Sequence, residues 1–182
     1  MRSSIMLPLL LASLSSAACA QPAGRPRPAA TSAAPLSERM APFGWLIGNW
    51  RGSGWTLLPD GSRHRFESRE IVVPKLSGNA ILVEGRHYQP GAPERLVHDA
   101  IAMITWDSRT KAYRFRSALA NGMGGDFEIK PTADGFTWRI DTPGGPIAYT
   151  VTHRNGVWTE RGSRPGPGGT SVDFFEMSLR RE

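Results

Sequence analysis

Thiol chemistry has almost no material here: the 182-residue chain holds one cysteine, Cys19. A disulfide framework and a thiolate metal cluster are therefore excluded. Histidine is scarce too, with four residues, His64, His87, His98 and His153, and their spacing matches no metal motif. The G-x-S-x-G elbow, H-E-x-x-H, the phosphate-cradling G-x-x-x-x-G-K-S and the dinucleotide fingerprint are all missing. The glycines of "GMGGD" at 122 and "PGPGG" at 165 belong to loops. No apolar run is long enough to span a bilayer as a helix, since the greasiest, "IMLPLLLASL", covers only ten residues. Charge of one sign is lacking as well. The formal +6 shrinks once it is located: Arg2, Arg25 and Arg27 lie in the first 36 residues, leaving 19 of the 22 basic residues against 16 acidic ones. Basic and acidic residues alternate, as in "RHRFESRE", and no basic stripe forms to track phosphates, which excludes a nucleic-acid partner.

The first 20 residues have a basic start, a short apolar core and the small-residue end "ACA", the order of a secretory signal peptide cleaved after Ala20. The protein is thus expected to be exported, periplasmic or extracellular. The alternative is a membrane-anchored lipoprotein, because "SAAC" places small residues before Cys19; lipidation there would be its only tether. Residues 21–36, "QPAGRPRPAATSAAPL", are a Pro/Ala-rich spacer with too few large apolar side chains to repay ordering. Residues 37–182 form the domain.

Within that domain, turn signals arrive every eight to twelve residues and separate about ten β-branched and aromatic runs, from "NWRGSGWTLL" to "TSVDFFEMSLR". The spacing predicts an all-β fold, a closed antiparallel up-and-down barrel of about ten strands. A short N-terminal helix near 37–47 puts Leu36, Met40, Phe43 and Leu46 roughly on one face, with Pro42 keeping it short or kinked. Alternation sorts one wet face from one apolar face: Tyr113, Phe115 and Leu119 oppose Arg114 and Arg116, and Phe136, Trp138 and Ile140 oppose Arg139 and Asp141. The first strand, "GNWRGSGW", sets Trp50, Gly52 and Gly54 on one side. Two glycines there cost conformational freedom, so a sharp bend, another backbone or a large ring must come close.

Those residues resemble something known. Gly48-Asn49-Trp50 is similar to the G-x-W that opens the first strand of lipocalins, members of the calycin superfamily. In lipocalins the tryptophan closes the barrel beneath an arginine from near the chain end, a part the resemblance gives to Arg180 or its neighbour Arg181. Gly48, Trp50, Gly52, Gly54 and Pro59 also resemble the G-x-W-x-G-x-G-x-x-x-Y-P signature of nitrobindins, with Leu58 in place of the tyrosine. The order of motifs is similar to bacterial exported lipocalin-like proteins. Nitrobindins hold haem through a histidine on the last strand; the last strand here has none, so the resemblance implies the barrel without the iron ligand, and no cofactor is expected.

The expected function is binding of a small hydrophobic, lipid-like molecule in the lumen. Candidate lining residues are Phe115, Trp138 and Tyr149, with His153 at a strand end after Tyr149 and Val151, and Glu84 with Arg86 if that face of the third strand turns inward. His64, before Phe66, has the same placement as His153. Gly48, Trp50, Gly52, Gly54 and Arg180 are the expected barrel-closing set. The alternatives are a filled lumen, making a structural or interaction protein of the cell envelope, and a barrel enzyme, an isomerase or hydrolase. Two buried titratable groups converging in the cavity would favour the enzyme.

Overall fold

The computed structural model describes residues 35–182. The expected leader, nearly all of the spacer and Cys19 lie outside the described residues. Ten strands follow one another in chain order: β1 Gly48–Leu57, β2 Arg63–Lys75, β3 Ala80–Gln89, β4 Ala92–Asp107, β5 Ala112–Leu119, β6 Gly124–Thr132, β7 Gly135–Ile140, β8 Ile147–Arg154, β9 Val157–Pro165 and β10 Ser171–Arg181. Each pairs antiparallel with its neighbour, and β1 closes on β10 from Trp50↔Arg181 to Thr56↔Phe175. The sheet is a closed barrel, as the turn spacing predicts.

Closure makes the two faces unequal, and the inner one carries the core. Trp50, Phe66, Val72, Ile81, Ile104, Ile129, Phe136, Val151, Trp158, Met177 and Leu179 are buried. Their alternation along each strand and register across strands put them on one side. Arg114, Arg116 and Arg139 take the outer side, where they pair with Asp126 (2.8 and 3.2 Å) and Asp141 (3.2 Å).

The helix expected near 37–47 is a 3₁₀ helix, Glu38–Leu46. With three residues per turn, Met40, Phe43 and Leu46 stack on one face, and all three are buried against the barrel core. An α-helix would have drifted off that face, so the spacing of three selects the tighter winding. Phe43 meets Tyr113 and Phe136 edge to face at 4.9 and 5.7 Å. The Tyr113 hydroxyl donates to the Arg39 carbonyl at 2.6 Å.

This plug is locked by Trp50, whose indole N–H donates to the Leu46 carbonyl at 2.7 Å. The arginine over Trp50 is Arg181, not Arg180. Its guanidinium lies 4.7 Å from the Trp50 ring and donates to the carbonyls of Trp45, at 2.7 Å, and Ile47. Alternation explains the correction: Leu179 points inward, so Arg181 shares its side while Arg180 faces out beside Arg51. Gly48, with φ of 139°, opens the strand beside the Arg181 side chain. A methyl at Gly52 would meet the β10 backbone at Leu179 Cα (3.0 Å), and one at Gly54 would strike the Phe66 ring. Both glycines thus answer to the close β10 backbone, and Gly54 to the Phe66 ring as well.

One seam is short. Pairing between β6 and β7 covers only Ile129–Thr132 against Gly135–Trp138, so Asp126–Glu128 and Arg139–Ile140 face each other unpaired.

Candidate functional site: the lumen

A cavity of about 740 Å³ fills the barrel between the plug and the opposite end, within the range that encloses a small organic ligand. Its floor is Leu46, Phe136 and Trp158; its walls include Phe66, Phe115, Phe127, Trp138, Tyr149, Phe175 and Met177; its rim includes His64, Val97, His98 and Met123. His64, Val97 and Met123 are exposed, which marks this end as the mouth.

Three of the sequence-derived candidates line this cavity: Phe115, Trp138 and Tyr149. Trp138 and Tyr149 stack at 4.0 Å, and Phe115 meets Trp138 at 5.1 Å. His153 lies below the cavity instead, stacked on Trp45 at 4.9 Å and edge-on to Trp50 at 5.8 Å, as part of the closed end. Glu84 and Arg86 are outside the lumen altogether. The third strand turns Val83, Gly85 and His87 inward, so the even-numbered residues face out, and Arg86 pairs there with Glu84 (3.9 Å) and Asp99 (3.4 Å).

Sequence reasoning missed the polar groups that do point inward. Register places Glu70 on β2 between Trp50 on β1 and Gly85 on β3. Glu70 is 5% exposed and accepts a hydrogen bond from the Ser68 hydroxyl at 3.0 Å. Its carboxyl occupies the space that a side chain at residue 85 would need, since a methyl there would come within 2.5 Å of Glu70 Oε2 and 3.0 Å of Oε1. Gly85 is therefore the seat of that carboxyl. Burial pushes Glu70 up to about 8, against the smaller opposing pull of Ser68.

His87 is buried beside it, with Phe66 stacked on one side at 4.1 Å and His98 on the other at 4.7 Å. Burial pushes its imidazole down to about 4, and His98 is lowered by burial and by His87. His87 Nε2 stands 3.7 Å from Glu70 Oε1, beyond ordinary hydrogen-bond reach. Burial favours the uncharged form of each, so at neutral pH the two stand as carboxylic acid and neutral imidazole rather than as an ion pair.

Glu160 is the second lumen carboxyl, on β9 two residues beyond Trp158 and in register with Val151 and Met177. Burial raises it to about 7, the charge of Glu70 adds to the rise, and a hydrogen bond from Trp138 opposes it. Tyr149 is raised to about 12 by burial and by Glu160. Trp158 also lines the cavity, is 4% exposed, and its indole N–H has no hydrogen-bond partner among the described residues.

A haem ligand on the last strand, where nitrobindins place theirs, has no counterpart: β10 presents Phe175, Met177 and Leu179. Both faces of the His87 ring are covered, and its Nε2 looks toward Glu70. A groove of about 710 Å³ runs along the seam between β6 and β7, lined by Arg114, Asp126, Glu128, Lys130, Arg139 and Asp141 and also by Phe127, Trp138 and Tyr149, which line the lumen as well.

No family model matches the chain, and no curated protein matches it by sequence. Among solved structures it is similar to Rv2717c from M. tuberculosis, whose crystal structure superposes with a TM-score of 0.61 over 81% of this chain and 99% of that one, at 11% identity. At that identity the likeness is one of fold alone.

Proposed function

We propose that this is an exported binding protein that holds a small, largely apolar molecule inside the barrel. The observation that supports this reading most is the cavity of about 740 Å³, which stays open although it is walled by large aromatic and aliphatic side chains. A barrel built only as a scaffold would have filled that space with its own side chains. The leader-like first 20 residues support export. Native mass spectrometry of protein purified from its own host tests the binding reading: a retained small molecule supports it. Failure both to retain one and to take up an apolar dye would leave the filled, structural barrel standing.

A barrel enzyme is the second reading, favoured by Glu70, Glu160 and His87 converging on one cavity. Carboxyls that remain protonated near neutrality are suited to general-acid work. Turnover of model esters or enones that is lost in both E70Q and E160Q supports it. Turnover retained in both variants removes it.

A further inference from the structure

The polar lining of the lumen is one-sided. Among the described residues it carries two carboxyls, Glu70 and Glu160, and three imidazoles, His64, His87 and His98, but no lysine or arginine. This is not for want of cations, because basic residues outnumber acidic ones in the chain, 22 to 16. The arginines lie elsewhere: Arg114, Arg116 and Arg139 point outward onto Asp126 and Asp141, and Arg181 is spent on the plug. A barrel built to clamp a carboxylate ligand would aim a guanidinium into its lumen. This one aims acids.

The acids are also under-compensated. Around Glu70 stand Ser68 on its own strand, Trp50 on β1, Gly85 and His87 on β3 and His98 beyond on β4. Around Glu160 stand Tyr149 on β8, Trp138 on β7, Met177 on β10 and Glu70 across the cavity. No fixed cation is among these groups. A buried carboxylate without a cation is costly, so an unliganded lumen favours the protonated form of both groups. Glu70 rises to about 8 and Glu160 to about 7 for this reason, each mainly through burial.

Resting on the reading of the lumen as a ligand site, we propose that its ligand is a lipophilic amine or related organic cation, its ammonium held by Glu70 and Glu160 and its apolar body laid against Phe66, Trp138, Tyr149 and Phe175. The cation supplies the charge that the walls lack, and the ring faces add cation–π attraction. Binding an ammonium ion requires the carboxyls to ionise, so each gives its proton to solvent and amine affinity rises with pH. An alkylamine stays charged throughout, since its own pKa lies near that of lysine, about 10.4.

Calorimetric titration of the full-length protein with decylamine, decanol and decanoate tests this. At about pH 8.5 decylamine is expected to bind at least about tenfold more tightly than decanol, with decanoate weakest. Between about pH 8.5 and about pH 6 the amine is expected to lose at least about tenfold in affinity while decanol is unchanged. E70Q and E160Q are each expected to abolish the preference for amine but retain decanol, whose binding also reports an intact lumen. Equal binding of amine and alcohol, or tightest binding of decanoate, overturns the amine assignment while leaving the ligand-binding reading in place. Binding of none of the three overturns both.

Discussion

At Gly85 a single methyl group decides where the Glu70 carboxyl can lie. Alanine there would place Cβ 2.5 Å from Glu70 Oε2, so G85A is expected to destabilise the fold by about 1–3 kcal/mol, the usual cost of overfilling a packed interior. In an E70A background most of that cost should vanish. A double-mutant cycle in urea measures the coupling; a value near zero would show that Gly85 is not the seat of the carboxyl. Arg181 and Arg180 make a second contrast. R181A removes two donors to the carbonyls of Trp45 and Ile47 and the cation over Trp50, with an expected loss of about 1–3 kcal/mol. R180A should stay within about 0.5 kcal/mol. Equal losses in chemical denaturation would contradict the assignment.

Legibility at this scale was uneven. Trp50, Gly52 and Gly54 announce close packing through a spacing no solvent-facing strand needs. Choosing between Arg180 and Arg181 requires the inward parity of Leu179, which the sequence around it, "FFEMSLRR", leaves ambiguous. Glu70 was hidden because "RHRFESREIVV" carries charges on both faces. The signal that could have found it is comparative: Arg65, Glu67 and Arg69 crowd one face, whereas Glu70 shares the other with Phe66, Ser68 and Val72. Glu160 follows Trp158 in the same way. Its pairing with Glu70 spans separate strands and is invisible without register.

Among the elements, the N-terminal plug shows how a spacing can be read with the wrong period. Apolar residues at 40, 43 and 46 fit one edge of an α-helix loosely and one face of a 3₁₀ helix closely. The barrel end has room for three stacked side chains, and that settles the winding. Phe43 is 0% exposed and touches two rings, so F43A is expected to cost about 3–5 kcal/mol. Thermal unfolding followed by tryptophan emission, with Trp45, Trp50 and Trp158 in edge contact nearby, would report the loss. A change below about 1 kcal/mol would mean that the plug contributes little to closure. The strands were far more legible than the plug, since each turn signal ends an alternating run and ten runs became ten strands. Which face of β2, β3 and β4 turns inward was not, because apolar residues occur on both.

For the molecule as a whole, the lumen acids set the pH response. Glutamate titrates near 4.5 when unfolded, whereas Glu70 does so near 8 and Glu160 near 7 in the fold. Between those values the folded chain binds more protons, so stability falls as pH rises. His87 acts in reverse, because its pKa drops from 6.5 to about 4 and stability rises with pH across that interval. The two trends oppose each other up to about pH 6.5, above which the carboxyls act alone. The ligand-free protein is therefore expected to lose stability from about pH 6.5 to pH 8, by up to about 1.4 kcal/mol per pH unit for each carboxyl. Denaturation midpoints across this range check the slope. E70Q combined with E160Q should flatten it, and an unchanged slope in that variant would show that other groups carry the response.

The short seam between β6 and β7 has its own result for the assembled wall. A closed cylinder normally offers no template to a neighbouring chain, but the free backbone at Asp126–Glu128 and Arg139–Ile140 is a brief place where a foreign strand could dock. Carboxylates and a guanidinium stand along that gap, with Asp126 already engaged by Arg114 and Arg116. An intruder would have to strip water from these charges to zip in, a cost that guards this stretch of wall where strand pairing is incomplete.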